Sequence, residues 1–287
     1  MSPPAFHTAD TRGPVIVMVA PNGARKTKSD HPNLPTTVEE TAAVAVDCFR
    51  CGASVLHAHV RDADETHSID SKLYRHLIRT LETDIPKLCI QITTEAVGVF
   101  TPEQQAKTVF DTSPAMASVG LREMAGVRSD LDFAKHFYLN CDASGVHIQH
   151  ILYDEQDVSR FCELQDAGVI PASHRCLLFV LGRYQVNQQS EPSDLQPFLN
   201  ALSLNRDSDQ CDWFCCAFGA QEKACLLEAV HMGGHVRIGF ENNHYRPDGT
   251  VAESNASQVA DLVQCLSDHG YGIADTADCN RILFSPV

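Results

Sequence analysis

Positive charge is what this sequence has least of. Lysine and arginine number 22 against 37 aspartates and glutamates, a formal net charge of −15. A general nucleic-acid or anionic-membrane binder needs the opposite balance, so neither partner is expected. An anionic small molecule stays open, because a basic pocket can sit on an acidic protein. No uninterrupted apolar run is long enough to span a bilayer. The opening Met1-Ser2-Pro3-Pro4-Ala5-Phe6-His7 lacks the basic segment and apolar core of a secretory signal. The expectation is a cytoplasmic protein with an N-terminal tail over residues 1–13. Also missing are an internal repeat, a low-complexity tract, an interdomain linker and a glycine-rich phosphate loop of the Walker or dinucleotide type.

The twelve cysteines do not make up a framework. Cys89, Cys176, Cys211 and Cys215 lie in apolar strand-like runs, where a thiol behaves as a small hydrophobe. Cys48-Phe49-Arg50-Cys51 is a C-x-x-C match, but it sits at the C-terminal end of its helix, just before Gly52. A redox pair needs the helix N-terminus to lower a thiol pKa. No second C-x-x-C completes a zinc ribbon. These are read as reduced structural thiols.

What is present is a 44% hydrophobic chain of 287 residues, the usual size of one α/β barrel. Apolar runs at 15–20, 54–59, 88–93, 116–119, 146–152, 175–181, 212–218 and 236–240 read as eight strands. Helical sequence follows each. Thr36-Thr37-Val38-Glu39-Glu40 reads as a capping box, Thr101-Pro102-Glu103-Gln104 as a helix start with proline in its first turn, and Gln221 to Met232 as a helix stopped by Gly233-Gly234. A last helix opens near Ser254-Asn255. Eight such units predict a single-domain (β/α)8 TIM barrel over residues 1–287. The polar segment Tyr184 to Ser193, after strand six, reads as a long active-site loop or a mobile surface insertion.

The most informative stretch is Val55-Leu56-His57-Ala58-His59-Val60-Arg61-Asp62. In a strand, side chains at i and i+2 point the same way, so His57 and His59 share one side. They lie at the C-terminal mouth of the strand, where barrels gather their metals and catalytic groups. Closure of the barrel sets strand eight against strand one, and strand one beside strand two. The end of strand eight, Gly239-Phe240-Glu241-Asn242-Asn243, is therefore expected to bring Glu241 to the two histidines. Two histidines and a carboxylate suit Zn²⁺ and leave positions open for substrate. Arg237 shares the face of Glu241 by period two. It reads as a cation aimed at substrate charge or as half of a structural ion pair. Arg61 and Asp62 read as a pair that orients the histidines.

At these residues the chain resembles the β-keto acid cleavage enzymes, whose first described members cleave 3-keto-5-aminohexanoate. The resemblance rests on Pro21-Asn22-Gly23-Ala24-Arg25, His31-Pro32-Asn33-Leu34-Pro35, Gly52 to Arg61, Gln91-Ile92-Thr93-Thr94 and Gly233 to Asn243. It implies a zinc-dependent TIM barrel that exchanges acyl groups between a β-keto acid and acetyl-CoA, giving acetoacetate and a new CoA thioester. It implies His57, His59 and Glu241 as zinc ligands, Thr93 and Ser118 as substrate-contacting hydroxyls, Asn22 at the substrate, and Arg237 as the family's strand-eight arginine. It also implies a homotetramer.

The chain departs from the family pattern in two places. Many members have Glu-Asp-Asn where Glu241-Asn242-Asn243 stands, and that aspartate is assigned acid–base work. Asn242 cannot take up a proton at neutral pH, so Glu95, where many members have glycine, is the candidate base. Members acting on the aminated substrate have an acid where Arg25 stands. A cation there suits a distal carboxylate on the substrate, with Lys26 a solvated neighbour. Two rival readings share the His-x-His motif. One is an amidohydrolase-like metal hydrolase, with the motif on strand one and an aspartate on strand eight. The other is a barrel that binds metal and acid without catalysis.

Overall fold

The structure, a computed structural model, describes residues 13–205 and 211–284. Residues 1–12 of the expected N-terminal tail lie outside this range. Eight parallel strands close into a barrel in the order β1 (Val17–Val19), β2 (Val55–Ala58), β5 (Cys89–Thr93), β6 (Met116–Gly120), β7 (His147–Leu152), β8 (Cys176–Leu181), β9 (Asp212–Ala217), β10 (His235–Ile238) and back to β1. β3 (Val60–Arg61) and β4 (His67–Ser68) make a small antiparallel hairpin outside the barrel. The helices are α1 (Val38–Arg50), α2 (Ser71–Asp84), α3 (Pro102–Thr112), α4 (Leu121–Met124), α5 (Leu131–Ala143), α6 (Glu155–Asp166), α7 (Gln196–Asn205), α8 (Glu222–His231), α9 (Asn255–Asp268) and α10 (Thr276–Leu283). Among the described residues, no helix is long and apolar enough to cross a membrane.

All eight expected barrel strands form, and the reason is burial on both faces. One apolar layer, including Leu56, Ala58, Val236 and Ile238, packs outward against helix residues such as Ala45, Leu77 and Leu262. A second layer, including Ile16, Met18, Val55, Met116, Leu178 and Phe214, fills the barrel interior. Strands buried on both sides read as near-continuous apolar runs. The helix starts follow from caps. Thr37 and Glu40 close a capping box on α1, and Thr101 and Gln104 close one on α3, with Pro102 in the first turn.

Three elements escaped the sequence reading. The chain leaves the barrel after Ala58 and turns through Asp62 to Thr66, where Asp62 accepts from Asp64 N–H at 3.0 Å and Thr66 N–H at 2.9 Å. That turn folds Val60–Arg61 onto His67–Ser68. The single turn α4 precedes α5, which Asp130 caps. α10, capped by Asp275, follows α9. Each is short: α4 is a single turn without a side-chain cap, and β3 and β4 have two residues each, too few to show a period. The C-x-x-C cysteines are free, and burial raises the Cys48 thiol well above its ordinary range, as expected of a structural thiol.

The outer face of β7 carries a buried polar cluster. His150, His174 and the Tyr138 hydroxyl lie within 6.1 Å of one another by ring centroid, and none has a protein hydrogen-bond partner on its side-chain polar atoms. Burial pushes His174 down to about 4 and His150 well below its usual 6.5. Asp142, 3.8 Å from His174, opposes that shift without cancelling it. The folded pKa values lie below the unfolded ones, so the unfolded chain binds more protons as pH falls. Stability is full above about pH 6.5 and drains away toward pH 4, by at most about 1.4 kcal/mol per pH unit for each histidine. Urea midpoints measured from pH 7.5 to 4.5 should show this decline, and His174→Asn should make it shallower. An unchanged slope in that variant would show that His174 is not held neutral.

Candidate metal centre

Barrel closure builds the site as the spacing predicts. Met18 of β1 lies opposite Arg237 on one side and Val55 on the other. Two residues past Val55, on the same inward face, comes His57, and His59 follows. Four residues past Arg237 comes Glu241. His57 Nε2 and His59 Nε2 are 3.2 Å apart, and each is 3.4 Å from Glu241 Oε2. Both histidines are buried.

A buried amide chain sets the state of His57. Gln91 Nε2 donates to Gln149 Oε1 at 3.1 Å, which leaves Gln91 Oε1 as an acceptor. His57 Nδ1, 2.6 Å from that oxygen, must then carry the proton, and Nε2 presents a lone pair. Burial drives the His57 pKa down to about 3, so the ring is neutral. Burial pushes the Glu241 carboxyl up, but Arg237 and the two histidines outweigh it and hold it well below the usual range. Arg237 Nη2 donates to Glu241 Oε1 at 3.1 Å and lies 3.2 Å from Cys216 Sγ.

This donor set fits a divalent metal. Glu241 Oε2 is buried and accepts no hydrogen bond from the protein. The three ligand atoms form a triangle with sides of 3.2, 3.4 and 3.4 Å. A tetrahedral centre with bonds of about 2.0–2.1 Å has edges of about 3.3 Å. The triangle is therefore one face of such a tetrahedron, with the fourth position free. Among the described residues this is the one group of three or more such side chains able to hold a metal. Gly23 makes room for it. Its φ is +69°, and a Cβ there would lie 2.6 Å from Glu241 Cγ.

The site opens into a cavity of about 170 Å³, whose wall includes Arg25, Lys26, Arg183, Glu95, Thr93 and Asn22. Both strand-one cations line the cavity, and they differ in exposure. Lys26 is tucked in, its Nζ donating to Phe240 O at 2.7 Å, and burial lowers it to about 8. Arg25 is the exposed one and has no ion-pair partner among the described residues. The reason is the turn, since Arg61 donates to Gly23 O at 2.7 Å and Lys26 O at 2.6 Å and draws the loop inward. Arg61 therefore grips the strand-one loop, where orientation of the histidines was expected. Asp62 is used up in its own turn.

The remaining expected residues divide. Thr93 lies on the wall, and its Oγ1 accepts from Glu95 N–H at 3.2 Å. Asn22 lies there too, but its Nδ2 donates to Pro35 O and His59 O and its Oδ1 accepts from Gly23 N–H, so its amide braces the loop. Ser118 is buried in the middle of β6, off the cavity wall, with no protein partner for its hydroxyl. Asn242 is also buried off the wall, with both amide atoms unpartnered. Glu95 sits on the wall, 3.6 Å from Arg183. Arg183 was missed, although it follows the apolar run 175–181 at its C-terminal end, where barrel chemistry collects. From the expected loop 184–193, Gln188 reaches the cavity. The His-x-His motif belongs to the second barrel strand and the carboxylate is a glutamate, so the strand-one placement of the hydrolase rival is absent.

Known proteins resemble this chain over most of its length. The chain is 29% identical over 274 residues to a 3-keto-5-aminohexanoate cleavage enzyme of Fusobacterium nucleatum, covering 94% of this chain and 97% of that one. It is 24% identical over 285 residues to a 3-oxoadipate:acetyl-CoA acetyltransferase of Cupriavidus necator, covering 95% of each. Among solved structures, ObcA in a binary complex with oxaloacetate shares the fold, with a TM-score of 0.71 at 16% identity over 88% of this chain and 67% of that one. The model of the beta-keto acid cleavage enzyme family matches residues 14–284, and the chain belongs to that family.

Proposed function

We propose that this chain cleaves a β-keto acid by acyl exchange with acetyl-CoA, giving acetoacetate and a new acyl-CoA, at a zinc ion held by His57, His59 and Glu241. The observation that carries the reading is the tetrahedral face of three ligand atoms at the floor of a cavity walled by cations. The names of relatives support the acetyl-CoA exchange, one acting on 3-oxoadipate and another on 3,5-dioxohexanoate. When bound, the zinc supplies a Lewis acid that draws electron density from the ketone and carboxylate oxygens of the acid.

The protein's own residues do the rest. Arg237 holds Glu241 in place and keeps it ionised. Thr93 presents its hydroxyl to the substrate and holds the backbone of Glu95. Glu95 is the base, taking the proton from the carbon between ketone and carboxylate. That carbon then bonds to the acetyl carbonyl of acetyl-CoA. The thioester bond breaks and releases CoA thiolate, which attacks the original ketone carbon; the old carbon–carbon bond breaks, and Glu95 returns its proton to the departing carbon, giving acetoacetate. The small cavity holds the acid, so the CoA moiety must enter from the mouth.

Arg25 reads the far end of the substrate. It is an exposed cation on the wall without a counter-ion among the described residues, whereas Lys26 is held by Phe240 O and Arg183 faces Glu95. The name of the Cupriavidus necator relative, with its dicarboxylic 3-oxoadipate, points the same way.

Purified protein should bind about one zinc per chain with this ligand set, and His57→Ala/His59→Ala should bind none. Gly23→Ala, which crowds Glu241, should weaken zinc about tenfold to hundredfold while the far-ultraviolet circular dichroism stays native. Full zinc occupancy in the double histidine variant would refute the centre. With matched substrates, kcat/KM for a dicarboxylic β-keto acid should exceed that for a neutral one by about tenfold to hundredfold, the worth of one charge-assisted hydrogen bond. Arg25→Glu should favour the aminated substrate instead. Equal losses on anionic, neutral and cationic substrates would remove Arg25 as the selector. The assay is acetyl-CoA-dependent acetoacetate formation.

A further inference from the structure

We infer that Arg183 is a positioning residue that aims the Glu95 carboxylate into the cavity from across the barrel mouth. This rests on the reading of Glu95 as the base. Glu95 follows β5, the third strand around the barrel, and Arg183 follows β8, the sixth. Their ion pair, 3.6 Å long, therefore spans the mouth above the metal ligands.

The backbone of Glu95 is already anchored. Its N–H donates to Thr93 Oγ1 at 3.2 Å, and its carbonyl accepts from His67 Nε2 at 2.9 Å. The next residue, Ala96, donates its N–H to the half-buried Glu123 carboxylate at 3.1 Å. None of these contacts settles where three rotatable bonds carry the carboxylate. Neighbouring Glu123 carries like charge and gives it no anchor. Arg183 supplies one.

Arg183 is suited to that task because it is itself fixed. Its guanidinium lies 5.4 Å from the centre of the Phe218 ring, a cation–π arrangement that limits its motion. The side chains of Arg183 and Glu95 are 17% and 19% exposed, so the pair is only partly screened by water. At 3.6 Å the contact is electrostatic, beyond hydrogen-bond range. Both carboxylate oxygens stay clear of N–H donors among the described residues and remain able to accept a proton. A tight bidentate clasp would have occupied them.

The experiment is a double-mutant cycle on kcat, with KM and bound zinc measured alongside. Arg183→Gln should lower kcat about tenfold to hundredfold, the cost of a catalytic group misplaced by about 1 Å. KM for the acid and zinc content should change little. Arg183→Lys should recover most of the loss, and guanidinium ion should partly rescue Arg183→Ala. In the Glu95→Gln background, Arg183→Gln should have no further effect, because nothing is left to position. Equal losses in both backgrounds would overturn the inference, as would normal turnover of Arg183→Gln beside an impaired Glu95→Gln. Normal turnover of Glu95→Gln would remove the base itself, and the inference with it.

Discussion

The hydrogen bond from His57 Nδ1 to Gln91 Oε1 is the contact on which the site depends. It fixes one proton on one nitrogen, and everything downstream needs the other nitrogen bare. In the structure Gln91 Nε2 donates to Gln149 Oε1, and Gln149 Nε2 in turn lies 3.4 Å from Cys176 Sγ. The chain of amides crosses the barrel interior from β2 through β5 and β7 to β8. A buried amide with one end free could flip alone; with both ends satisfied it turns only if its partners turn with it. Three barrel strands thus decide the tautomer of one ring on a fourth.

The second constraint is charge. The protein carries a net −15, yet Arg25, Lys26, Arg183 and Arg237 all line one cavity. Two of these cations are consumed by the fold. Arg237 is buried against Glu241, and Lys26 is drawn onto Phe240 O by the grip of Arg61 on its loop. Arg183 is balanced by Glu95 at a distance that leaves both groups usable. Arg25 alone of the four is exposed and without an ion-pair partner among the described residues. A local positive potential on an acidic protein draws an anionic ligand to this mouth in preference to the rest of the surface.

Much of this was legible in the sequence because it followed from periodicity. Period two put His57 and His59 on one face, closure of eight strands put Glu241 beside them, and caps such as Thr37 with Glu40 placed the helices. What was not legible followed from contacts between residues distant in sequence. Nothing near Arg61 says that it reaches back to Gly23 and Lys26, so the tucked-in place of Lys26 was not legible. Nothing near Gln91 says that it selects a tautomer. Arg183 stood at a strand end of the right kind, one residue before the loop that drew attention, but its meaning depends on Glu95, 88 positions earlier in the chain. The β3–β4 hairpin was hidden by the apolar Val60, which reads as a continuation of the strand before it.

The seam where the barrel closes explains why the ligand set is split between residues 57 and 241. β1 and β10 are joined there by more than their strand pairing. Glu241 N–H donates to Ala20 O at 3.1 Å, Asn255 Nδ2 donates to Pro21 O at 3.1 Å, and Asn255 Oδ1 accepts from Phe240 N–H at 2.9 Å. On the far side of the same turn, Asn243 Nδ2 donates to buried Glu222, whose carboxyl burial raises to about 8. Asn242 lies between these tethers, buried and without partners of its own. A carboxylate at that position would add an unpaired buried charge to a turn that already holds Glu222 and Glu241, and the amide avoids that cost. The turn thereby holds Glu241 rigidly. Under the proposed mechanism proton transfer falls to a group outside it, and the acid on the cavity wall besides Glu241 is Glu95.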